Sequence, residues 1–223
     1  QRYTNENGEA SIAINLNPGK YIVTTTVNGT SANNSINIKS TIYSADVVKT
    51  YRNTTQYYAK FLDSTGNDLK NTAVTFNING VFYTRTTNES GIAKLNLNLQ
   101  QGKYILTAIN EITGERTGNN ITILPTIINN RDVIKYYRNA TKYNVNILEK
   151  NGRPAGQGHE VVFNINGVFY TRLTDSAGIA GLNLNLNPGD YIITADYDGC
   201  QVSNNIKILP TLTANNIEME YRD

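Results

Sequence analysis

Asn77–Tyr104 reads NINGVFYTRTTNESGIAKLNLNLQQGKY, and it returns at Asn164–Tyr191 as NINGVFYTRLTDSAGIAGLNLNLNPGDY. Its second half stands a third time at Asn5–Tyr21, as NENGEASIAINLNPGKY. Arg85 and Arg172 hold the same place 87 residues apart, and Arg52 and Arg138 of the Tyr-Arg-Asn triplets are 86 apart. That period is too long for most solenoids and fits one small β-sandwich per repeat.

The signals inside the stretch are β signals. Val74, Phe76 and Ile78 alternate with Thr75, Asn77 and Asn79, the period of a half-buried strand. Asn79-Gly80, repeated as Asn166-Gly167, predicts a type I′ hairpin, because that turn needs positive φ at both central residues. The next run places Ala93, Leu95, Leu97 and Leu99 on one face, as do Ala180, Leu182, Leu184 and Leu186, and Ala10, Ile12, Ile14 and Leu16. One apolar and one polar face is how an antiparallel sandwich sheet reads. Gly-x-Tyr follows each time, and Tyr21, Tyr104 and Tyr191 are placed to make a corner hydrogen bond.

The expected fold is therefore all-β: tandem seven-stranded Ig-like antiparallel β-sandwich repeats of about 86 residues. Residues 1–42 read as the C-terminal half of a repeat, 43–128 and 129–214 as complete repeats, and 215–223 as the first strand of a following one. A window from a longer array accounts for both cut ends. Ile-Leu-Pro-Thr closes each full unit, its proline marking the strand end and a short stiff linker.

Bulk properties narrow the function. The 20 basic and 18 acidic residues are dispersed, so nothing resembles a nucleic-acid stripe. With no run of about eighteen apolar residues, no membrane insertion is expected within the segment. One cysteine excludes an internal disulfide, and one histidine leaves no usual zinc ligand set. The reading is of a non-enzymatic protein without cofactor or metal; His159 is taken as a solvated loop residue and Cys200 as incidental. Asp175 and Asn88 lack the carboxylate cluster that would make a calcium site specific.

Two sets of repeated polar residues carry chemistry. Asn-x-Ser/Thr sequons stand at Asn28, Asn33, Asn53, Asn88, Asn120 and Asn139, and are expected on turns and strand ends as N-glycosylation candidates. Lys49 and Lys135 sit in the opening strand, and Asn119 and Asn204 begin the pairs that open the closing strand. A Lys kept neutral by burial, with an acid in reach, joins such an Asn as an intramolecular cross-link in sandwiches of Gram-positive pili. Met219 replaces the lysine in the next copy, and no acid repeats within a strand. The plainer reading is a Lys at a strand edge with a solvated amine.

VTFNINGVFYTRTTNESGIAKLNLNL, GKYILTAIN and ITILPTI together resemble the Ig-like repeats of adhesin-like surface proteins of methanogenic archaea. The wider turn and Gly-x-Tyr pattern is similar to bacterial Ig-like and carboxypeptidase-regulatory-like sandwiches. The resemblance implies an extracellular, envelope-attached stalk of many repeats on the cell surface, acting in attachment. Its expected partners are neighbouring repeats of the same or another chain, and glycans or proteins of cell surfaces or envelopes; the ligand is not implied. The alternative is a building block of an extracellular filament assembled through β-strand complementation.

Overall fold

The computed structural model describes residues 1–215 and 217–220. The expected opening strand at 215–223 falls partly on Asn216 and Tyr221–Asp223, which lie outside the described residues.

All regular structure among the described residues is β. Gly19–Val27 (β1) and Thr30–Ile38 (β2) form a two-stranded antiparallel hairpin around Asn28-Gly29. The first full repeat contains Ile42–Ser44 (β3), Val47–Thr50 (β4), Gln56–Phe61 (β5), Ala73–Ile78 (β6), Val81–Thr86 (β7), Ile92–Asn96 (β8), Gly102–Ile109 (β9) and Arg116–Leu124 (β10). The second contains Ile127–Ile128 (β11), Val133–Tyr136 (β12), Lys142–Ile147 (β13), Glu160–Ile165 (β14), Val168–Leu173 (β15), Ile179–Asn183 (β16), Gly189–Tyr197 (β17) and Cys200–Leu209 (β18). Each repeat has a three-stranded sheet, β3-β5-β8 or β11-β13-β16, and a five-stranded one, β4-β10-β9-β6-β7 or β12-β18-β17-β14-β15.

Two features correct the expected seven antiparallel strands. A short extra strand (β3, β11) precedes the opening strand and belongs to the other sheet. β12 pairs with β18 in parallel, with Val133 opposite Ile206 and Lys135 opposite Ile208. Parallel partners need a long crossover, and here the rest of the repeat supplies it.

Packing follows the alternation. Tyr57, Phe61, Val74, Phe76, Ala93, Leu95 and Leu106 are buried, with Tyr57 edge-on to Phe76 at 5.5 Å between ring centroids. Tyr143 and Phe163 repeat the contact at 5.9 Å, among Val145, Val161, Ala180, Leu182 and Ile193. Both hairpin turns have the expected geometry, with φ of +52° at Asn79 and Asn166 and +76° at Gly80 and Gly167.

The described residues gather into two compact units. One comprises Gln1–Val47, Gln56–Asn96 and Tyr104–Ile121; the other comprises Val48–Thr55, Leu97–Lys103 and the described residues from Thr122 on. The turn after β4 and the loop after β8 therefore pack with the strands of the second repeat.

Residues 10–16 do not form the strand their alternation predicts. Ile12, Ile14 and Leu16 are exposed, and no strand is assigned there. In the full repeats the matching strands β8 and β16 pair with β5 and β13, and residues 1–9 contain no counterpart of those partners. An amphipathic strand without a ladder partner has nowhere to place its backbone donors or its apolar face.

Candidate functional site

The polar features built identically into both repeats lie along the seam where the opening strand meets the closing one. Asp46-Val47-Val48-Lys49 and Asp132-Val133-Ile134-Lys135 recur 86 residues apart, with the acid just before the strand and the lysine within it.

The acids clamp the Asn-Asn pairs. Asp132 accepts the backbone N–H of Asn205 at 2.9 Å and side-chain amides of Asn204 and Asn205 at 3.2 Å each. Asp46 accepts the backbone N–H of Asn120 at 2.8 Å and its amide at 3.0 Å, with Asn119 at 3.4 Å. These donors hold both carboxyl groups below their ordinary range: the Asn120 side chain is the largest cause for Asp46, the Asn205 N–H for Asp132. The oxygen of Asn204 in turn accepts the Tyr143 hydroxyl at 2.8 Å and the Asn130 amide at 3.0 Å. Asn119 accepts the hydroxyls of Tyr57 at 2.7 Å and Ser44 at 2.6 Å. Burial pushes Tyr143 up to about 12, with a smaller push from Asp132, and burial likewise raises Tyr57.

The lysines are not solvated edge residues. Lys49 and Lys135 are each only 5% exposed. Lys135 Nζ donates to the carbonyls of Leu184 at 3.0 Å and Thr141 at 3.2 Å; Lys49 Nζ does the same to Leu97 and Thr55. Burial lowers the pKa of Lys49. The lysines also explain why β8 and β16 stop short of the expected Leu99 and Leu186: the Leu97 and Leu184 carbonyls turn to the amines instead of a neighbouring strand.

The candidate cross-link is not assembled. Lys135 stands opposite Ile208, four residues along β18 from Asn204, about 13 Å at strand spacing. Asn204 is committed to Asp132, Tyr143 and Asn130, while the amine is committed to carbonyls. Lys49 and Asn119 have corresponding separate partners.

The tyrosine corner is present. Tyr21 Oη donates to the Asn17 carbonyl at 2.8 Å and Tyr191 Oη to the Asn187 carbonyl at 2.9 Å, pinning the loop that leads into β1 and β17. Among the sequons, Asn28 is at a hairpin tip, Asn53 and Asn139 follow the opening strands, and Asn88 precedes β8. Asn33 and Asn120 lie within β2 and β10 rather than at strand ends. The amide nitrogens of Asn53 and Asn120 are engaged, donating to the Lys150 carbonyl at 2.9 Å and to Asp46.

His159 is not a solvated loop residue. Half-buried, it shares a 3.0 Å hydrogen bond with Tyr197 Oη through Nδ1, and its Nε2 lies 3.4 Å from Glu149. Cys200 is a free, buried thiol. Among the described residues no group of three or more His, Cys, Asp or Glu could hold a metal ion, and no helix is long and apolar enough to cross a membrane. Phe82 and Phe169, just past the Asn-Gly turns, are each 67% exposed, a repeated aromatic feature the strand pattern concealed.

No protein-family profile and no curated protein matches this chain. Solved structures do. The I9–I11 tandem of titin aligns over 86% of this chain and 74% of its own, at 12% identity and a TM-score of 0.35. A membrane-anchored protein from Corynebacterium diphtheriae aligns over 90% of this chain and 60% of its own, at 11% identity and a TM-score of 0.41. A calcium-stabilized adhesin with which an Antarctic bacterium binds ice aligns over 87% and 57%, at 16% identity and a TM-score of 0.23. Likeness of this degree concerns the fold alone.

Proposed function

We propose that this chain is a non-enzymatic structural and adhesion element, a stalk of tandem Ig-like repeats on the outer cell surface. By sequence period the repeats are residues 43–128 and 129–214, with 1–42 the C-terminal half of a preceding one and 215–223 the start of a following one; the fold of the second begins two residues earlier, since Ile127–Ile128 pairs with β13. The observation that carries this reading is the parallel pairing of the opening strand with the closing one. The chain passes from β11 into the start of β12 and leaves the repeat at the end of β18, so tension that reaches β12 loads the whole Val133–Tyr136 ladder in shear. The Asp132 clamp at one end of β12 and the buried Lys135 amine within it secure the same seam. A repeat built this way transmits load along an array whose stability is roughly additive.

The resemblance to adhesin-like proteins of methanogenic archaea supports surface display and an archaeal source. The exposed Phe82 and Phe169 offer one equivalent apolar contact per repeat toward glycans or proteins of other cells. The sequons at Asn28, Asn88 and Asn139 present exposed side chains for glycosylation. Antibodies raised against the folded chain test the reading: they label intact cells of the native host, and brief external proteolysis removes the signal. Labelling that requires lysis overturns it.

The alternative, an extracellular filament assembled by strand complementation, is favoured by the sheet edges β7 and β15, which end the five-stranded sheets and expose Phe82 and Phe169. Concentration-dependent polymers in sedimentation, abolished by Phe82→Asp plus Phe169→Asp, would establish it; a monomer at all concentrations excludes it.

A further inference from the structure

We propose that the turn Tyr137-Arg138-Asn139 is a preformed seat for a further copy of this repeat, which docks through an Asp-Gly hairpin tip. The inference rests on the tandem-repeat reading above and adds the residues that join one repeat to the next.

The seat is seen once in use. In the unit that contains Val48–Thr55 and the strands from Thr122 on, the Arg52 guanidinium forms an ion pair with the Asp198 carboxylate, between β17 and β18. Lys150 Nζ lies 3.6 Å from the other oxygen of the same carboxylate. Asn53 donates its amide to the Lys150 carbonyl at 2.9 Å. Gly199 packs so closely on Tyr51 that a Cβ there would stand 3.2 Å from the tyrosine oxygen. Tyr51 is consequently only 6% exposed. The His159 contacts to Glu149 and Tyr197 brace the two loops that carry Lys150 and Asp198.

The second seat has the same construction. Tyr137 N–H donates to the Leu209 carbonyl at 2.9 Å, as Tyr51 does to Leu124 at 2.8 Å. Arg138 has φ of +60° and Arg52 +57°, a region that non-glycine residues seldom occupy and that clusters at ligand clamps. Each guanidinium lies over the preceding tyrosine, at 5.3 Å for Arg138 and 5.6 Å for Arg52. Asn139 is fixed by Thr141 through the same two hydrogen bonds that fix Asn53 through Thr55. Among the described residues Arg138 has no hydrogen-bonding or ionic partner, and Tyr137 is only half-buried.

The occupant is specified by chemistry. It needs an acid to meet Arg138 and, next to it, a residue without a Cβ to lie on Tyr137. Asp198-Gly199 satisfies both, whereas the first repeat has Thr113-Gly114 there, its acids Glu111 and Glu115 standing at other positions of the tip and Glu115 already bound to Ser40 and Thr41. The seat therefore selects repeats of the second type. Two contacts are not repeated: Gln101, which donates to the Gln201 carbonyl at 2.6 Å, is replaced by Pro188, and Thr50, whose Oγ1 would lie 3.3 Å from a Cβ on Gly152, is replaced by Tyr136.

The test appends a second copy of residues 129–214 after Ala214 of the full chain. Nitrogen-15 relaxation reads whether the two copies tumble as one body, and hydrogen exchange reads the Tyr137–Asn139 amides. Docking predicts one shared correlation time and protection of those amides raised on the order of tenfold. Arg138→Asp uncouples the copies, and Asp198→Arg in the appended copy restores coupling only in that background. Gly199→Val in the appended copy uncouples them with all charges intact. An appended copy that folds but tumbles independently, or a charge swap that restores nothing, overturns the seat while leaving the tandem-repeat reading in place. An appended copy that does not fold overturns both.

Discussion

Asp132, one residue before the opening strand of the second repeat, accepts both the backbone N–H and the side-chain amide of Asn205, which lies 73 residues away. This pair fixes the register of a parallel ladder that no tight turn can set, since β12 and β18 stand at opposite ends of the repeat sequence. Asp46 makes the same two contacts to Asn120 one repeat earlier, at 74 residues' separation. A sandwich without a disulfide thus ties its first strand to its last through one carboxylate and two neighbouring asparagines.

The Asp clamp predicts acid sensitivity with a defined sign. Asp132 and Asp46 are held below the ordinary 3.8 by their hydrogen bonds, so the folded state binds these protons more weakly than the unfolded chain. The contribution is fully present above about pH 4 and is lost as pH falls through the lowered values. Thermal unfolding followed by circular dichroism, comparing the parent chain with Asp46→Ala plus Asp132→Ala, is expected to show a gap at pH 7 that narrows below pH 4. A gap of constant size down to pH 2 contradicts the assignment.

The buried lysines predict a cost for losing the charge. Lys135→Met removes the donor from the Thr141 and Leu184 carbonyls while keeping most of the packing volume. Stranding buried acceptors costs about 1–3 kcal/mol. Urea denaturation of Lys135→Met is expected to show a loss of about 2 kcal/mol at unchanged m-value. A solvated edge lysine would instead leave stability within about 0.5 kcal/mol.

Much of this architecture was legible in the sequence, and the exceptions share a cause. Alternation in 74–78 and 93–97 and the Asn-Gly turns located strands and hairpins, because these signals are local. Asp46 and Asp132 leave no local signal, because each precedes its strand and its partners are more than seventy residues away; only the recurring Asp-Val-x-Lys marks them. The lysines resembled edge residues because four-residue strands show too little periodicity to declare burial. Ile12, Ile14 and Leu16 alternate as a strand would and yet form none, because alternation alone supplies no ladder partner. The two-residue Ile127–Ile128 strand is too short to leave any pattern.

The alkaline limb tests the tyrosines at the seam. Tyr143 is raised to about 12 and Tyr57 is raised above its ordinary 10, both chiefly by burial. For Tyr143 the folded state favours the neutral phenol, so this contribution is intact below pH 10 and is lost between about 10 and 12. Absorbance at 295 nm is expected to show a late phase of phenol ionisation that accompanies the loss of β-sheet dichroism. The last phenols then titrate together with unfolding, and Tyr143→Phe removes one from that late phase. An unchanged late phase in Tyr143→Phe refutes the burial argument.

Two glycines with the same backbone angle separate strain from crowding. Gly167 and Gly178 both have φ of +76°. A Cβ on Gly167 meets nothing within 4 Å, whereas on Gly178 it would lie 2.4 Å from the Ala155 carbonyl oxygen. Gly167→Ala therefore incurs only the left-handed backbone penalty, about 1–2 kcal/mol. Gly178→Ala adds a collision with backbone, and the turn must open where Ala155 and Gly178 exchange bonds with Ile147: the Ala155 N–H to its carbonyl and the Ile147 N–H to the Gly178 carbonyl, each 2.8 Å. The expected order in urea is parent, then Gly167→Ala, then Gly178→Ala, with the last at least about 2 kcal/mol below the second. Gly91→Ala in the first repeat should behave like Gly178→Ala, since its Cβ would lie 2.6 Å from the Phe61 carbonyl oxygen. Equal losses at Gly167 and Gly178 would mean that the backbone angle alone selects glycine here, and that the close approach of Ala155 relaxes freely.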